Sequence, residues 1–236
     1  MIAQVIGCGR GEVMEGPMED STKYFCVSFH KTGTRSFHQF MQVSGKSSLH
    51  SVAAEYEDGF FALRKNPKSV LARLEPIIAE ATAHSDVPWP GLFREVAANY
   101  PTAKFVLIRR DPAKWFDSLF KHWSWPLVKR RLTPFEAIQY WPYLGDEIDR
   151  LFTQRDRDLF IDAFVRHEHA VQRELPADRL LVLDLDDSAA ARKIASFVNL
   201  PEVRPIPHVG MQTKVFRFSQ YRRNLRLRYQ TRSCKS

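Results

Sequence analysis

Cysteine is scarce in this chain: three residues in 236, Cys8, Cys26 and Cys234, far apart and without a C-x-x-C pair. That number and spacing exclude a disulfide framework and argue against a zinc site, leaving Cys26 as a small core residue. Long hydrophobic runs are missing too. No window of eighteen apolar residues is present to span a bilayer, and M-I-A-Q-V-I-G-C-G-R-G-E has neither the basic leader nor the apolar centre of a signal peptide. The expected location is cytoplasmic. No internal repeat occurs. Acidic residues are absent from Arg204 onward, where nine Lys or Arg stand: Arg204, Lys214, Arg217, Arg222, Arg223, Arg226, Arg228, Arg232 and Lys235. Subtracting these nine from 35 basic residues leaves 26 against 27 acidic ones, so the whole net charge of +8 lies in this terminal stretch. An anionic substrate or surface is its natural partner.

What is present is a globular composition, 44% apolar and 12% aromatic, in a length that suits one large domain rather than two. A loose leader is expected over 1–22, an α/β domain over 23–210 and a basic tail over 211–236. Lys23 to Phe29, Ala103 to Ile108 and Arg179 to Leu185 are short continuous apolar runs, which read as buried strands. Helices are expected from Arg35, from Asn66-Pro67 despite Pro76, over Leu92 to Tyr100, after Asp111-Pro112, over Phe152 to Leu175 and over Ala189 to Val198. The Trp- and Pro-rich span His122 to Tyr143 has no clean period and reads as a lid or insert. Strands that are apolar throughout and alternate with helices predict a central parallel sheet with helices on both faces, a three-layer α/β fold.

Between the first strand and its helix stands F-H-K-T-G-T-R-S-F. In such sheets ligands collect at the carboxyl ends of the strands, where helix N-termini point N–H groups outward. Gly33 lets the backbone approach an anion, Lys31 brings a charge, and Thr32, Thr34 and Ser36 bring hydroxyls. The lysine precedes a single glycine, so this is not the nucleoside-triphosphate pattern G-x-x-x-x-G-K-[S/T]. His167-Glu168-His169 has the wrong spacing for a zinc motif and reads as a solvated helix face.

The loop resembles the 5′-phosphosulfate loop of sulfotransferases that use 3′-phosphoadenosine-5′-phosphosulfate (PAPS). F-V-L-I-R-R-D-P-A-K-W-F-D-S-L is similar to that family's 3′-phosphate motif, a strand ending in Arg with a Ser eight residues on, here Arg110 and Ser118. D-V-P-W-P-G-L-F-R-E-V-A-A-N-Y-P-T-A-K-F and F-V-N-L-P-E-V-R-P-I-P-H-V also look like a bacterial-type branch. The resemblance runs from about Tyr24 to His208, and the 123–173 region adds little to it. The family's glycine-rich 3′-phosphate loop has only Gly210 to Lys214 as a counterpart.

The resemblance implies a P-loop-type fold and PAPS as sulfuryl donor, with no obligatory metal. Its acceptor would be a hydroxyl or amine on a carbohydrate, lipid or small molecule. It implies donor contacts from His30, Lys31, Thr32, Gly33, Thr34, Arg35, Ser36, Arg110 and Ser118, with Lys31 stabilising charge on the leaving oxygen. Where cytosolic relatives keep a histidine base, S-D-V-P places Asp86, with His84 and His30 as alternatives. Two other readings stay open. A phosphotransferase would recruit Asp184 and Asp186 for magnesium, and a nucleic-acid-binding protein would act through the basic tail.

Overall fold

The computed structural model describes residues 22–52, 59–123 and 131–207. Five strands form one parallel sheet in the order β2-β3-β1-β4-β5: β1 Tyr24–Cys26, β2 Ser48–His50, β3 Ala83–Ser85, β4 Lys104–Arg109 and β5 Leu180–Asp184. The described helices are α1 Thr34–Val43, α2 Phe60–Leu63, α3 Pro67–Glu80, α4 Phe93–Asn99, α5 Pro112–Trp123, α6 Pro134–Leu144, α7 Arg157–Glu174 and α8 Ala190–Phe197. None is long and apolar enough to cross a membrane.

The apolar runs are continuous because both faces of the sheet are covered. Successive side chains on a strand point to opposite faces. Tyr24, Cys26, Val106 and Ile108 pack with Phe37 and Phe40 of α1 and Ile194 of α8, while Phe25, Val27, Phe105 and Leu107 pack with α3, α4 and Ala170 and Val171 of α7. Cys26 is fully buried, and burial pushes its thiol up to about 12. The three-layer expectation therefore holds, with two strands added. β2 and β3 are three residues each, S-L-H and A-H-S, and carry no apolar run by which to be recognised.

Local signals set several helix ends. Asn66 caps α3 by accepting from the Ser69 N–H at 3.2 Å, Pro67 occupies the first turn, and Pro76 is accommodated on the exposed side. The expected lid is corrected in part. Residues 124–130 lie outside the described ones, but α6 is core: Phe135, Ala137, Ile138, Gln139 and Tyr140 are buried, and the helix starts in a Thr133–Glu136 capping box. A helix apolar on nearly every side shows no amphipathic period, which is why its pattern read as irregular. It crosses the turn before α4 so closely that a Cβ on Gly91 would lie 2.4 Å from the Ile138 carbonyl oxygen.

Candidate functional site

The chain leaves β1, passes through Val27, Ser28 and Phe29, and enters α1 by a turn with two residues in the left-handed region, Lys31 at φ 73° and Gly33 at φ 97°. Glycine adopts this conformation freely and lysine does so at a cost, so neighbours must hold the turn in place. They do so by its carbonyls. His167 Nε2 donates to Val27 O at 2.7 Å and the Thr32 hydroxyl to Phe29 O at 2.7 Å. Trp115 Nε1 donates to His30 O at 3.0 Å, Arg110 Nη1 to Lys31 O at 2.6 Å, and the Phe37 N–H to Gly33 O at 3.0 Å. With those carbonyls engaged from behind, the first-turn N–H groups of α1, which have no intrahelical carbonyl to bond, form the other side of the turn. A Cβ on Gly33 would also meet Leu185 Cδ1 at 2.8 Å.

Burial lowers the Lys31 ammonium below its ordinary value; the Asp86 carboxylate opposes this, and Arg35 and Arg110 add to it. Lys31 therefore sits among two guanidinium groups with a single opposing carboxylate, an arrangement that favours an incoming anion. Arg35 is exposed in the first turn of α1, Ser36 half-buried and Thr34 buried. The Thr32 hydroxyl hydrogen is already committed to Phe29 O, so its contribution to a ligand falls to its backbone.

On one flank of the turn β4 delivers Arg110, whose guanidinium is lowered by burial against the pull of Asp111. Ser118 lies nearly two turns into α5, half-buried. On the other flank β3 delivers Asp86, itself at φ 71°. Its Oδ1 accepts from the Val87 N–H at 2.9 Å, and its Oδ2 is 3.5 Å from the Thr34 hydroxyl and 3.2 Å from His50 Nε2.

Two expected site residues do not join this group. His84 is one residue away from the outward direction: fully buried, stacked on Phe25 at 5.0 Å, with Nε2 bonded to Ala81 O at 3.1 Å and burial lowering it to about 4. The His30 side chain turns into the α5–α6 core, its Nδ1 3.1 Å from Gln139 Nε2. Residues the sequence did not single out are His50 and His38. His167 corrects the solvated-face reading: it is fully buried, stacked on Phe29 at 4.2 Å, accepts from the Tyr143 hydroxyl at 2.9 Å, and burial lowers it to about 3. The sole sequence signal was a polar residue in register with Phe160, Phe164 and Val171 on α7. Asp184 is held by Arg109 through two bonds of 3.0 Å, and no cluster of three metal-binding side chains occurs among the described residues. Gly210 to Lys214 and the basic tail fall outside the described residues.

The fold and site define an α/β protein whose central strand opens a lysine- and glycine-bearing turn, braced by an arginine from the end of the neighbouring strand β4. The sulfotransferase domain family model matches residues 23–215, most of the chain, and the chain belongs to that family. No curated protein sequence matches it significantly. A crystal structure of a sulfotransferase from Alicyclobacillus acidocaldarius superposes with a TM-score of 0.48 and 12% identity over 84% of this chain and 89% of that one, a likeness too slight to add to the family match.

Proposed function

We propose that this sulfotransferase moves a sulfuryl group from PAPS to a hydroxyl or amine of a carbohydrate, lipid or small-molecule acceptor. The observation that carries the reading is the bracing of the 27–33 turn, with its carbonyls bound from behind and Arg110 bonded to the Lys31 carbonyl. In this reading the first-turn N–H groups of α1 and the Lys31 ammonium hold the 5′-phosphosulfate. Arg110, with Ser118 two turns on, takes the 3′-phosphate; a guanidinium suits it because it grips two oxygens at once. Asp86 lies on the opposite flank, where an acceptor would approach.

The acceptor oxygen or nitrogen attacks sulfur and forms the new S–O or S–N bond while the bond from sulfur to the bridging oxygen breaks. The electron pair goes to the 5′-phosphate of 3′,5′-adenosine bisphosphate, and the acceptor's proton goes to Asp86. Charge grows on the bridging oxygen, so fixed N–H donors and Lys31 stabilise the transition state more than the ground state. A cytoplasmic location, and a role for the basic tail in drawing in an anionic acceptor or surface, complete the proposal. Of the two carboxylates that the magnesium-dependent alternative would recruit, Asp184 and Asp186, the first is paired with Arg109.

The test is calorimetric titration with 3′,5′-adenosine bisphosphate in the presence of a chelator. Binding should raise the melting temperature, by the equivalent of ~2.7 kcal/mol at a hundredfold excess over Kd. Arg110→Ala should abolish most of the effect. No binding at millimolar bisphosphate would overturn the cofactor assignment.

A further inference from the structure

Beside the turn, the ends of β2 and β3 carry a connected polar group that the phosphate contacts do not require. Register pairs His50 with Ser85. The chain then bends sharply on both strands, at Ser51 with φ 62° and at Asp86 with φ 71°, so three of the four positive-φ non-glycine residues described, counting Lys31, surround one spot. Such conformations persist only where the surroundings enforce them, and they cluster at functional sites. The spot is occupied by the His50 ring: Nδ1 is 3.0 Å from the Ser85 hydroxyl oxygen and Nε2 is 3.2 Å from Asp86 Oδ2. Both side chains of the pair are sheltered, at 14% and 16% exposure.

The protonation pattern follows from the partners. An ionised carboxylate only accepts, so His50 must donate to it from Nε2; Nδ1 is then the acceptor for the hydroxyl of the fully buried Ser85. With both ring nitrogens engaged, His50 has no lone pair left for an acceptor's proton. The charged and titratable groups facing it are Asp86 on β3's end, Lys31 and Arg35 from the turn and α1, and His38 of α1, whose ring centroid is 5.5 Å away. His38 is in turn 2.9 Å from the Ser48 hydroxyl. Burial and these cations keep His50 neutral against the pull of Asp86.

We infer that His50 is a positioning residue for sulfuryl transfer, clamping Asp86 toward the acceptor as an Nε2–H donor whose tautomer the carboxylate sets and the Ser85 hydroxyl complements. The inference rests on the reading of Asp86 as general base. During the reaction the acceptor's proton passes to the Asp86 carboxylate and on to solvent with product release, and His50 keeps its single proton throughout. Three donors, from Val87, Thr34 and His50, fix the carboxylate and leave its remaining lone pairs for the acceptor.

The experiment has two arms on the full chain. Nitrogen-15 imidazole spectra at neutral pH should show His50 neutral and protonated on Nε2; a cation, or a proton on Nδ1, overturns the inference. Turnover is read as bisphosphate released from PAPS with a panel of sugar, phenol and lipid alcohols, water included. His50→Phe should lower it ~10²-fold, the scale of a misplaced catalytic group. His50→Gln, which keeps an N–H near the same place, should restore most of the loss. Both variants should bind 3′,5′-adenosine bisphosphate like wild type. Wild-type turnover in His50→Phe, or no recovery in His50→Gln, refutes the positioning role. Failure of wild type itself to bind the bisphosphate refutes the PAPS assignment instead, and the imidazole spectra would still stand.

Discussion

Acidification from neutral pH should destabilise this fold, because two imidazoles are buried neutral. His84 and His167 are each fully buried, and burial lowers them to about 4 and about 3. In the unfolded chain a histidine titrates near 6.5, so between roughly pH 6.5 and 4.5 the unfolded state binds two protons that the native state refuses. The folded pKa values are depressed, so the native state loses stability as pH falls. Two protons correspond to ~2.7 kcal/mol per pH unit. Glu168 acts the other way. Burial raises its carboxyl to about 7, so it takes up a proton in the native state over the same range; its partial exposure makes the offset less than the ~1.4 kcal/mol per unit of one full proton. His38 and His50, also lowered, push in the same direction as the buried pair. The buried pair less Glu168 gives a slope of at least ~1.4 kcal/mol per pH unit, to which His38 and His50 add, hence ~3 kcal/mol or more over two units, much of the stability of an ordinary domain. Urea unfolding at a series of pH values measures it. His84→Gln should remove one proton's worth of slope, and Glu168→Gln should steepen it. A stability that stays flat from about pH 6.5 to 5 would mean that the buried rings protonate in place, and would falsify the account.

Three further outcomes follow from the turn and its flanks. Lys31→Ala should leave the fold intact and lower turnover on the order of 10²–10³-fold with a smaller change in bisphosphate affinity; an equal loss in both would make Lys31 a binding residue only. Gly33→Ala should cost ~1–2 kcal/mol for the left-handed backbone, with Leu185 free to swing aside because it is 43% exposed, while activity falls much further. A Gly33→Ala chain with wild-type turnover would show that the turn need not hold this conformation. Asp86→Asn keeps the size, removes the base and puts a donor NH2 where one carboxylate oxygen accepts, so turnover should fall by roughly 10²–10⁴ with bisphosphate binding unchanged; near-normal turnover would move the proton acceptor elsewhere.

The sequence by itself determined the elements whose signal is local. Phe25 to Phe29 and Phe105 to Ile108 read as buried strands because both faces of each are covered. Asn66-Pro67 announced α3, and H-K-T-G-T announced a tight turn into α1, because cap, strand and turn chemistry act within a few residues. Arg110 and Ser118 were legible as a spaced pair on a strand end and its helix. What only the tertiary structure decided is pairing and direction. Nothing in S-L-H or A-H-S marks a strand; they are ordered by lying beside β1, and their register sets His50 against Ser85 across 35 residues of sequence. Neighbouring strand positions face opposite ways, which separates buried His84 from Ser85, and the left-handed bend after Ser85 sends Asp86 toward the turn. His167 looked like one charge among many on a helix, yet α7 turns it beneath β1 to hold the Val27 carbonyl. Residue type and spacing fix what a segment can do locally. Which polar side chains meet depends on long-range packing of the apolar faces around them, and that is written in no single stretch of the chain.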